Sequence, residues 1–93
     1  MKTITMFYLE NCPYCKNARK ALKELTEENP EYGSISVDMI EESQNPEKAD
    51  AYDYYYVPAL FLGNEKAYEA APSEDYASIR SSVERVLKRA LNE

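Results

Sequence analysis

The hydrophobic pattern changes its period at Cys12 and Pro13, and this change constrains the fold more than any other feature of the sequence. Residues 3–9 (TITMFYL) are apolar, β-branched or aromatic on both alternating faces, which predicts a strand buried inside a sheet. From Pro13 to about Glu28 the apolar residues recur at helical spacing, at Ala18, Ala21, Leu22 and Leu25. A strand followed at once by such a helix predicts a βαβ unit, whose second strand pairs in parallel with the first.

The middle of the chain predicts three more strands and a short helix. Residues 34–40 (SISVDMI) alternate as the second strand, and Asn45–Pro46 is an N-cap pair that opens a polar helix to about Asp53. Residues 59–63 (ALFLG) form an apolar third strand that ends in a turn. After this turn, residues 66–70 can return as an antiparallel strand.

The last helix is predicted to begin at residues 72–75, with Ser73 as its cap and two acids in its first turn. Its apolar stripe consists of Ile79, Val83, Val86, Leu87, Ala90 and Leu91. The predicted order is therefore βαβαββα, with a sheet that mixes parallel and antiparallel strands.

Length and composition indicate one ordinary globular domain. The chain has 93 residues, of which 44% are hydrophobic and 30% charged, and it shows no internal repeat. Its net charge of −6 argues against nucleic acid and anionic membranes as partners. We find neither a signal peptide at the N-terminus nor the roughly 20 consecutive apolar residues of a membrane span. We therefore expect a cytoplasmic protein, and nothing in the sequence requires more than a monomer.

The chemistry is concentrated in the stretch CPYC, which holds the only two cysteines of a chain without histidine. A spacing of three on a helix places Cys12 and Cys15 one turn apart, so their sulfurs can meet in a disulfide. Cys12 lies where the helix begins, and free N–H groups and the helix dipole favour its thiolate there. Lys16 and Arg19 add positive charge nearby, whereas Glu10 opposes them. We predict that Cys12 is the nucleophile and that Cys15 is more shielded.

Two other interpretations of the cysteines are weaker. A structural disulfide across one helical turn would close a loop too small to constrain much chain, and a reducing compartment opposes it. A zinc site, or an iron–sulfur cluster, would need carboxylates or a second copy of the chain to complete its ligands. We predict no metal ligands, because a CxxC at a strand-to-helix junction favours redox chemistry.

With these motifs, the chain resembles the thioredoxin and glutaredoxin family over essentially its whole length. CPYC at 12–15 is the tetrapeptide typical of dithiol glutaredoxins, and it follows the first strand as in that family. Residues 45–63 (NPEKADAYDYYYVPALFLG) resemble the thioredoxin segment of polar helix, proline and apolar strand. The resemblance implies one thioredoxin-like α/β domain over residues 1–93, with a mixed four-stranded sheet flanked by three helices.

The resemblance also implies a function and the residues that perform it. Cys12 matches the attacking cysteine, Cys15 the resolving cysteine and Pro58 the family's cis-proline, which leaves the Val57 backbone free to pair with an extended substrate. The implied protein is a thiol–disulfide oxidoreductase that acts on protein or small-molecule disulfides without a bound cofactor. Its reductant is glutathione or a thioredoxin reductase. The alternative is a non-catalytic binding module that uses the Val57–Pro58 groove, or a dimeric metal or cluster carrier.

Some positions depart from both branches of the family. Glutaredoxins commonly carry a lysine three residues before the first cysteine, where it meets a glutathione carboxylate, and this position is Leu9 here. Their Gly-Gly motif for the γ-glutamyl group corresponds to residues 69–75 (EAAPSED), in which Ser73 and Asp75 remain as candidate contacts. The buried aspartate of thioredoxins is replaced by Met6. We therefore expect weak recognition of glutathione.

Nine tyrosines and no tryptophan form an unusual aromatic balance, with a cluster, YDYYY, at residues 52–56. Tyr52 and some of the others are expected to pack at the edge of the core. Tyr14 and Tyr56 are expected to form an aromatic rim around Cys12 that suits a protein disulfide. The complete predicted substrate-binding set is Pro13, Tyr14, Tyr56, Val57, Pro58, Ser73 and Asp75.

Overall fold

A four-stranded sheet forms the centre of the computed structural model, which describes residues 2–93. Its strands are β1 (Ile4–Tyr8), β2 (Val37–Glu41), β3 (Ala59–Leu62) and β4 (Glu65–Glu69), and its helices are α1 (Pro13–Glu28), α2 (Pro46–Asp50) and α3 (Tyr76–Asn92). The strand order is β2-β1-β3-β4, with β1 and β2 parallel and the other pairs antiparallel. The predicted order βαβαββα is confirmed. Met1, the first residue of the predicted domain, lies outside the described residues. Within residues 2–93 no helix has both the length and the apolar character needed to cross a membrane.

The main core lies between the sheet and the two long helices. Alternation along β1 and β3 directs one set of side chains to this face, and Met6 pairs directly with Leu60. The buried residues of α1 and α3 that cover them are Ala18, Ala21, Leu25, Ile79, Val83, Val86, Leu87 and Ala90. The predicted apolar stripes of both helices are thus confirmed, with Leu22 and Leu91 half-buried at their margins.

The opposite face of the sheet carries an aromatic cluster. Phe7 is fully buried, with ring centroids 4.9 Å from Tyr52 and 5.0 Å from Tyr54. Phe61 completes the cluster at 4.8 Å from Tyr52. The Tyr54 hydroxyl donates to the Glu42 carboxylate at 2.6 Å, and burial raises the pKa of Tyr54 above its usual range. The expectation that Tyr52 packs at the edge of the core is confirmed.

Two element boundaries differ from the prediction. Residues 30–34 form a 3₁₀ helix, so β2 begins at Val37 rather than at residue 34. The Tyr32 ring is buried and its hydroxyl donates to the Glu84 carboxylate at 3.3 Å, and the backbone carbonyl of Tyr32 accepts the N–H of Ile35 at 3.2 Å. The helix α2 ends at Asp50 rather than near residue 53 because Tyr52 turns inward to pack on the aromatic cluster.

The start of α3 is also corrected. Ser73 has a φ of 67°, in the left-handed region, and lies two residues before the cap of the helix. Asp75 is the N-cap instead, and its carboxylate accepts the N–H of Ser78 at 2.9 Å. The two acids predicted for the first turn, Glu74 and Asp75, therefore precede it.

Candidate active site

Cys12 lies at the N-cap of α1, as predicted, with Pro13 at the start of the helix. Its N–H donates to the Leu9 carbonyl at 3.2 Å, and its own carbonyl accepts the N–H of Lys16 at 3.0 Å. The backbone of Cys12 is therefore fixed on both sides. The side chain is half-buried, and its Sγ lies 3.8 Å from the carbonyl oxygen of Val57. This thiol is accessible at the N-terminal end of α1.

Cys15 lies in the first turn of α1 and is completely buried. Burial, reinforced by hydrogen bonding and charge from Cys12, raises the pKa of Cys15 to about 12. The N–H of Leu9, which donates to the Cys15 Sγ at 3.5 Å, and the charge of Arg19 oppose this rise without outweighing it. Cys15 is therefore a protonated thiol at neutral pH, and the predicted shielding of this residue is confirmed.

The segment that faces Cys12 contains the Val57–Pro58 peptide, which is cis as predicted. Pro58 is fully buried, and its carbonyl accepts the N–H of Ala70 at 3.0 Å. Strand β3 starts at the next residue. The sheet thus anchors this segment directly beside the cysteines.

An apolar cavity of about 170 Å³ opens next to this segment and is called the tyrosine cavity here. It is lined by Tyr14, Tyr56, Val57, Ala70, Ala71 and Pro72. Tyr56 is 53% exposed, whereas the Tyr14 hydroxyl is engaged and accepts the N–H of Ser73 at 2.8 Å. The structure therefore brings the two tyrosines of the predicted rim onto one cavity beside the CPYC motif.

A second cavity, of about 350 Å³, includes Cys12 in its lining and is called the acidic cavity here. It is lined by Leu9, Glu10, Asn11, Cys12, Glu41 and Ser43. Hydrogen bonds from the Ser43 hydroxyl and N–H, both at 2.6 Å, hold the pKa of Glu41 below its usual range. Glu41 is therefore ionised at neutral pH, and none of the six lining residues is basic.

The remaining predicted site residues have different surroundings. Pro13 is exposed at the start of α1. Ser73 joins the site through its backbone N–H, which contacts Tyr14. Asp75 caps α3 and lines neither cavity. A role for Ser73 or Asp75 in binding substrate stays a prediction. Within residues 2–93, the structure holds no group of three or more potential metal-binding side chains.

The sequence interpretation missed Glu69, which ends β4. Its carboxylate accepts hydrogen bonds from the N–H groups of Tyr55 and Tyr56, the two residues that directly precede Val57. The turn at Gly63 alone would place Tyr68 opposite Ala59, and a register shift between Leu60 and Phe61 places Glu69 there instead. The irregular path of residues 53–58 has no periodic signal in the sequence.

Comparison with known proteins agrees with this geometry. The model of the glutaredoxin family matches residues 4–66, which include β1, the CPYC motif and the Val57–Pro58 segment. The chain belongs to the glutaredoxin family. Membership places it among the thiol–disulfide oxidoreductases as a class.

Individual relatives and solved structures are similar to this chain. A thioredoxin of Methanocaldococcus jannaschii is 28% identical over 86 residues, which cover 92% of this chain and 93% of the relative. Thioredoxin 1 of Thermosipho africanus has a TM-score of 0.59 at 17% identity, with 98% of this chain and 99% of that chain covered. A mutant thioredoxin of Halobacterium salinarum has a TM-score of 0.57 at 24% identity, with 89% and 72% covered. The predicted thioredoxin-like fold is confirmed.

Proposed function

We propose that this chain reduces disulfide bonds through the dithiol of Cys12 and Cys15, with protein or peptide disulfides as preferred substrates. The observation that carries the proposal is the difference in solvent exposure between the two thiols. Cys12 is accessible at the N-terminus of α1, with its Sγ 3.8 Å from the Val57 carbonyl oxygen, whereas Cys15 is buried. One thiol can meet an incoming substrate and the other can meet only Cys12.

In the first step the Cys12 thiolate attacks one sulfur of the substrate disulfide. A Cys12–substrate disulfide forms, the substrate S–S bond breaks, and the second substrate sulfur leaves as a thiolate that takes a proton from water. The attacking sulfur lies at the N-terminal end of α1, which is the positive end of the helix dipole. The Val57 backbone offers hydrogen bonds to an extended substrate beside the reacting sulfur.

In the second step Cys15 loses its proton to water and attacks the Cys12 sulfur. The mixed disulfide breaks, the remaining substrate sulfur leaves as a thiolate, and a Cys12–Cys15 disulfide holds the oxidising equivalents. Two electrons have then passed from the dithiol to the substrate. The charge of Cys12 is one cause of the high pKa of Cys15, and it disappears once Cys12 is in the mixed disulfide. Ionisation of Cys15 becomes easier at the step that needs it.

The two cavities support the proposed substrate preference. The tyrosine cavity offers apolar and aromatic surface to a side chain next to the substrate cysteine. The acidic cavity presents Glu10 and Glu41 where a glutathione carboxylate would approach, and Leu9 supplies no positive charge. A charge-assisted hydrogen bond of the kind that a lysine would make is worth roughly 1.5 to 3 kcal/mol, so its loss weakens glutathione recognition by an order of magnitude or more.

The proposal includes the surroundings in which the protein works. We place the reaction in the cytoplasm, with a monomer as the active form and with no nucleic acid or membrane as partner. A reductant must regenerate the dithiol by supplying two electrons, and the two candidates are glutathione and a flavin-dependent thioredoxin reductase. Recycling of the oxidised protein by each reductant distinguishes them.

The function is tested by the reduction of insulin disulfides with dithiothreitol as the electron source. We expect the wild-type protein to accelerate the reaction and Cys12→Ser to abolish the acceleration. Cys15→Ser should accumulate a mixed disulfide on Cys12 that mass spectrometry detects. Insulin reduction that is unchanged in Cys12→Ser would end the proposal.

Substrate preference is tested separately, at equal enzyme concentrations, with a protein disulfide and a small glutathione mixed disulfide. We expect higher turnover of the protein disulfide. Fast glutathione-dependent turnover by the wild-type protein would overturn the preference and leave the dithiol mechanism intact.

A further inference from the structure

Glu69 links the end of strand β4 to the loop of residues 53–58 through hydrogen bonds. It is the last residue of β4 and pairs with Ala59, the first residue of β3. One carboxylate oxygen, Oε2, accepts the N–H of Tyr55 at 2.5 Å and the N–H of Tyr56 at 2.7 Å. The other oxygen, Oε1, accepts the ammonium group of Lys66 at 2.9 Å. The side chain is only 17% exposed, so a largely buried carboxylate holds two successive backbone amides.

These amides belong to a segment whose conformation matters for the proposed chemistry. Residues 53–58 form an irregular loop in which Tyr54 packs on Phe7. Tyr55 is 87% exposed and Tyr56 53% exposed, so packing of these two side chains does little to hold the backbone between Tyr54 and Val57. Val57 follows Tyr56 directly and carries the carbonyl that lies 3.8 Å from the Cys12 Sγ. Fixing the Tyr56 amide therefore also limits where the Val57 carbonyl can lie.

We propose that Glu69 is a positioning residue, which holds residues 53–58 so that the Val57 carbonyl and the Tyr56 ring face an incoming substrate at Cys12. Its kinetic consequence rests on the proposed function, because it concerns the substrate of the same dithiol. Glu69 acts on the reaction only through the loop. Without this carboxylate, both amides would turn to water and the loop would sample more conformations.

The carboxylate is well suited to this role because it is charged. Burial opposes its ionisation, but hydrogen bonds from Lys66 and from the N–H groups of Tyr56 and Tyr55 outweigh that effect and place the pKa of Glu69 below its usual value. Two N–H donors on one ionised oxygen make charge-assisted bonds, which are about twice as strong as neutral ones. In Glu69→Gln, a side-chain oxygen that kept both amides would turn the new NH₂ group toward the Lys66 ammonium, donor against donor.

Amide hydrogen exchange tests the contact in the wild-type protein. We expect the amides of Tyr55 and Tyr56 to exchange at least about tenfold more slowly than exposed loop amides, and to lose this protection in Glu69→Gln. Lys66→Met in the Glu69→Gln background removes the opposing donor and should restore part of the protection. Amides of Tyr55 and Tyr56 that exchange at the rate of unprotected loop amides in the wild type would overturn the proposal, and this readout does not require activity.

Kinetics test the consequence for the reaction. We expect Glu69→Gln to lower kcat/KM for a protein disulfide by about five- to tenfold, mainly through KM, and to leave the iodoacetamide reactivity of Cys12 within about twofold. The matched control is Glu65→Gln, which removes a carboxylate from the other end of β4, where it pairs with Arg89 at 2.9 Å through both oxygens. This control should leave kcat/KM unchanged.

The outcomes separate this inference from the proposed function. A wild-type protein without disulfide reductase activity refutes the proposed function. Amide hydrogen exchange still tests the contact of Glu69 with the Tyr55 and Tyr56 amides in that case. An active wild type whose kcat/KM is the same in Glu69→Gln refutes positioning alone. Equal losses in protein-disulfide reduction and iodoacetamide reactivity would also refute it, because they would mean that the whole site had been disrupted.

Discussion

The two cysteines should differ in reactivity by orders of magnitude, and the structure sets the size of the difference. A thiol with a pKa of about 12, as for Cys15, is ionised in only about one molecule in 100,000 at pH 7. A cysteine in an unfolded chain, with a pKa near 8.5, is ionised in about three molecules in 100, so ionisation alone slows Cys15 about 3,000-fold relative to such a cysteine. Complete burial of Cys15 also limits the access of alkylating reagents, which lowers its reaction rate further.

The measurement is the rate of iodoacetamide labelling at each cysteine, followed by mass spectrometry in single-cysteine variants. In Cys15→Ser, Cys12 should be labelled readily. In Cys12→Ser, the influence of Cys12 on Cys15 is gone but burial, the largest cause of the high pKa, remains. We therefore expect labelling of Cys15 to be at least about 100-fold slower than that of Cys12, with a rate that rises tenfold per pH unit from pH 7 to 10.

Urea provides the control, because the two cysteines should react at similar rates once the chain is unfolded. Comparable labelling of both cysteines in the folded state would refute the reasoning. It would mean that Cys15 is open to solvent and that the two thiols do not differ in exposure as described.

Three further predictions concern the core, acid stability and specificity. Phe7→Ala should lower the free energy of unfolding by about 3 to 5 kcal/mol in urea titrations, whereas Tyr55→Ala, at an 87% exposed residue, should change it by less than about 0.5 kcal/mol. Burial opposes ionisation of Glu74, but hydrogen bonds from Tyr68 and its neighbours hold its pKa below the usual value, so its stabilisation is present at neutral pH and is lost as pH falls through that lowered pKa. Glu74→Gln should therefore unfold with a flatter acid dependence, and an unchanged dependence would contradict the assignment. Leu9→Lys should raise glutathione-dependent turnover, and no increase would show that the missing lysine does not limit recognition.

The fold could be predicted from the sequence because its periodic signals are strong. The strand at β1 and the helical spacing from Ala18 to Leu25 agree with the structure almost residue by residue. Boundaries were wrong where a non-periodic contact decides them. Tyr32 buries its ring and keeps residues 30–34 in a 3₁₀ helix, and Ser73 adopts a left-handed φ that delays α3. Neither choice follows from hydrophobic pattern, since both depend on contacts with distant parts of the chain.

The candidate site was predictable only in part, for a related reason. The CPYC motif, Tyr14 and Val57–Pro58 carry local signals, and the structure brings them together. The acidic cavity forms because β2 lies beside β1 in parallel, which places Glu41 next to Glu10. The contact of Glu69 with Tyr55 and Tyr56 depends on where the irregular loop of residues 53–58 folds back. Such contacts have long sequence separation and no repeating pattern, so the structure was needed to find them.

The different properties of the two cysteines follow from where α1 starts relative to its own apolar stripe. The buried residues of this helix are Cys15, Ala18, Ala21 and Leu25, so Cys15 is the first member of the stripe that packs against the sheet. Cys12 precedes the helix and stays at the surface, where Pro13 sets the first helical turn. The spacing of three residues lets the two sulfurs meet, and it also leaves Cys12 at the surface while Cys15 lies in the core. Burial raises the pKa of Cys15 because it belongs to the packing face, and Cys12 is accessible because it does not. The accessibility of Cys12 and the burial of Cys15 thus follow from where α1 begins relative to the face that it packs against the sheet.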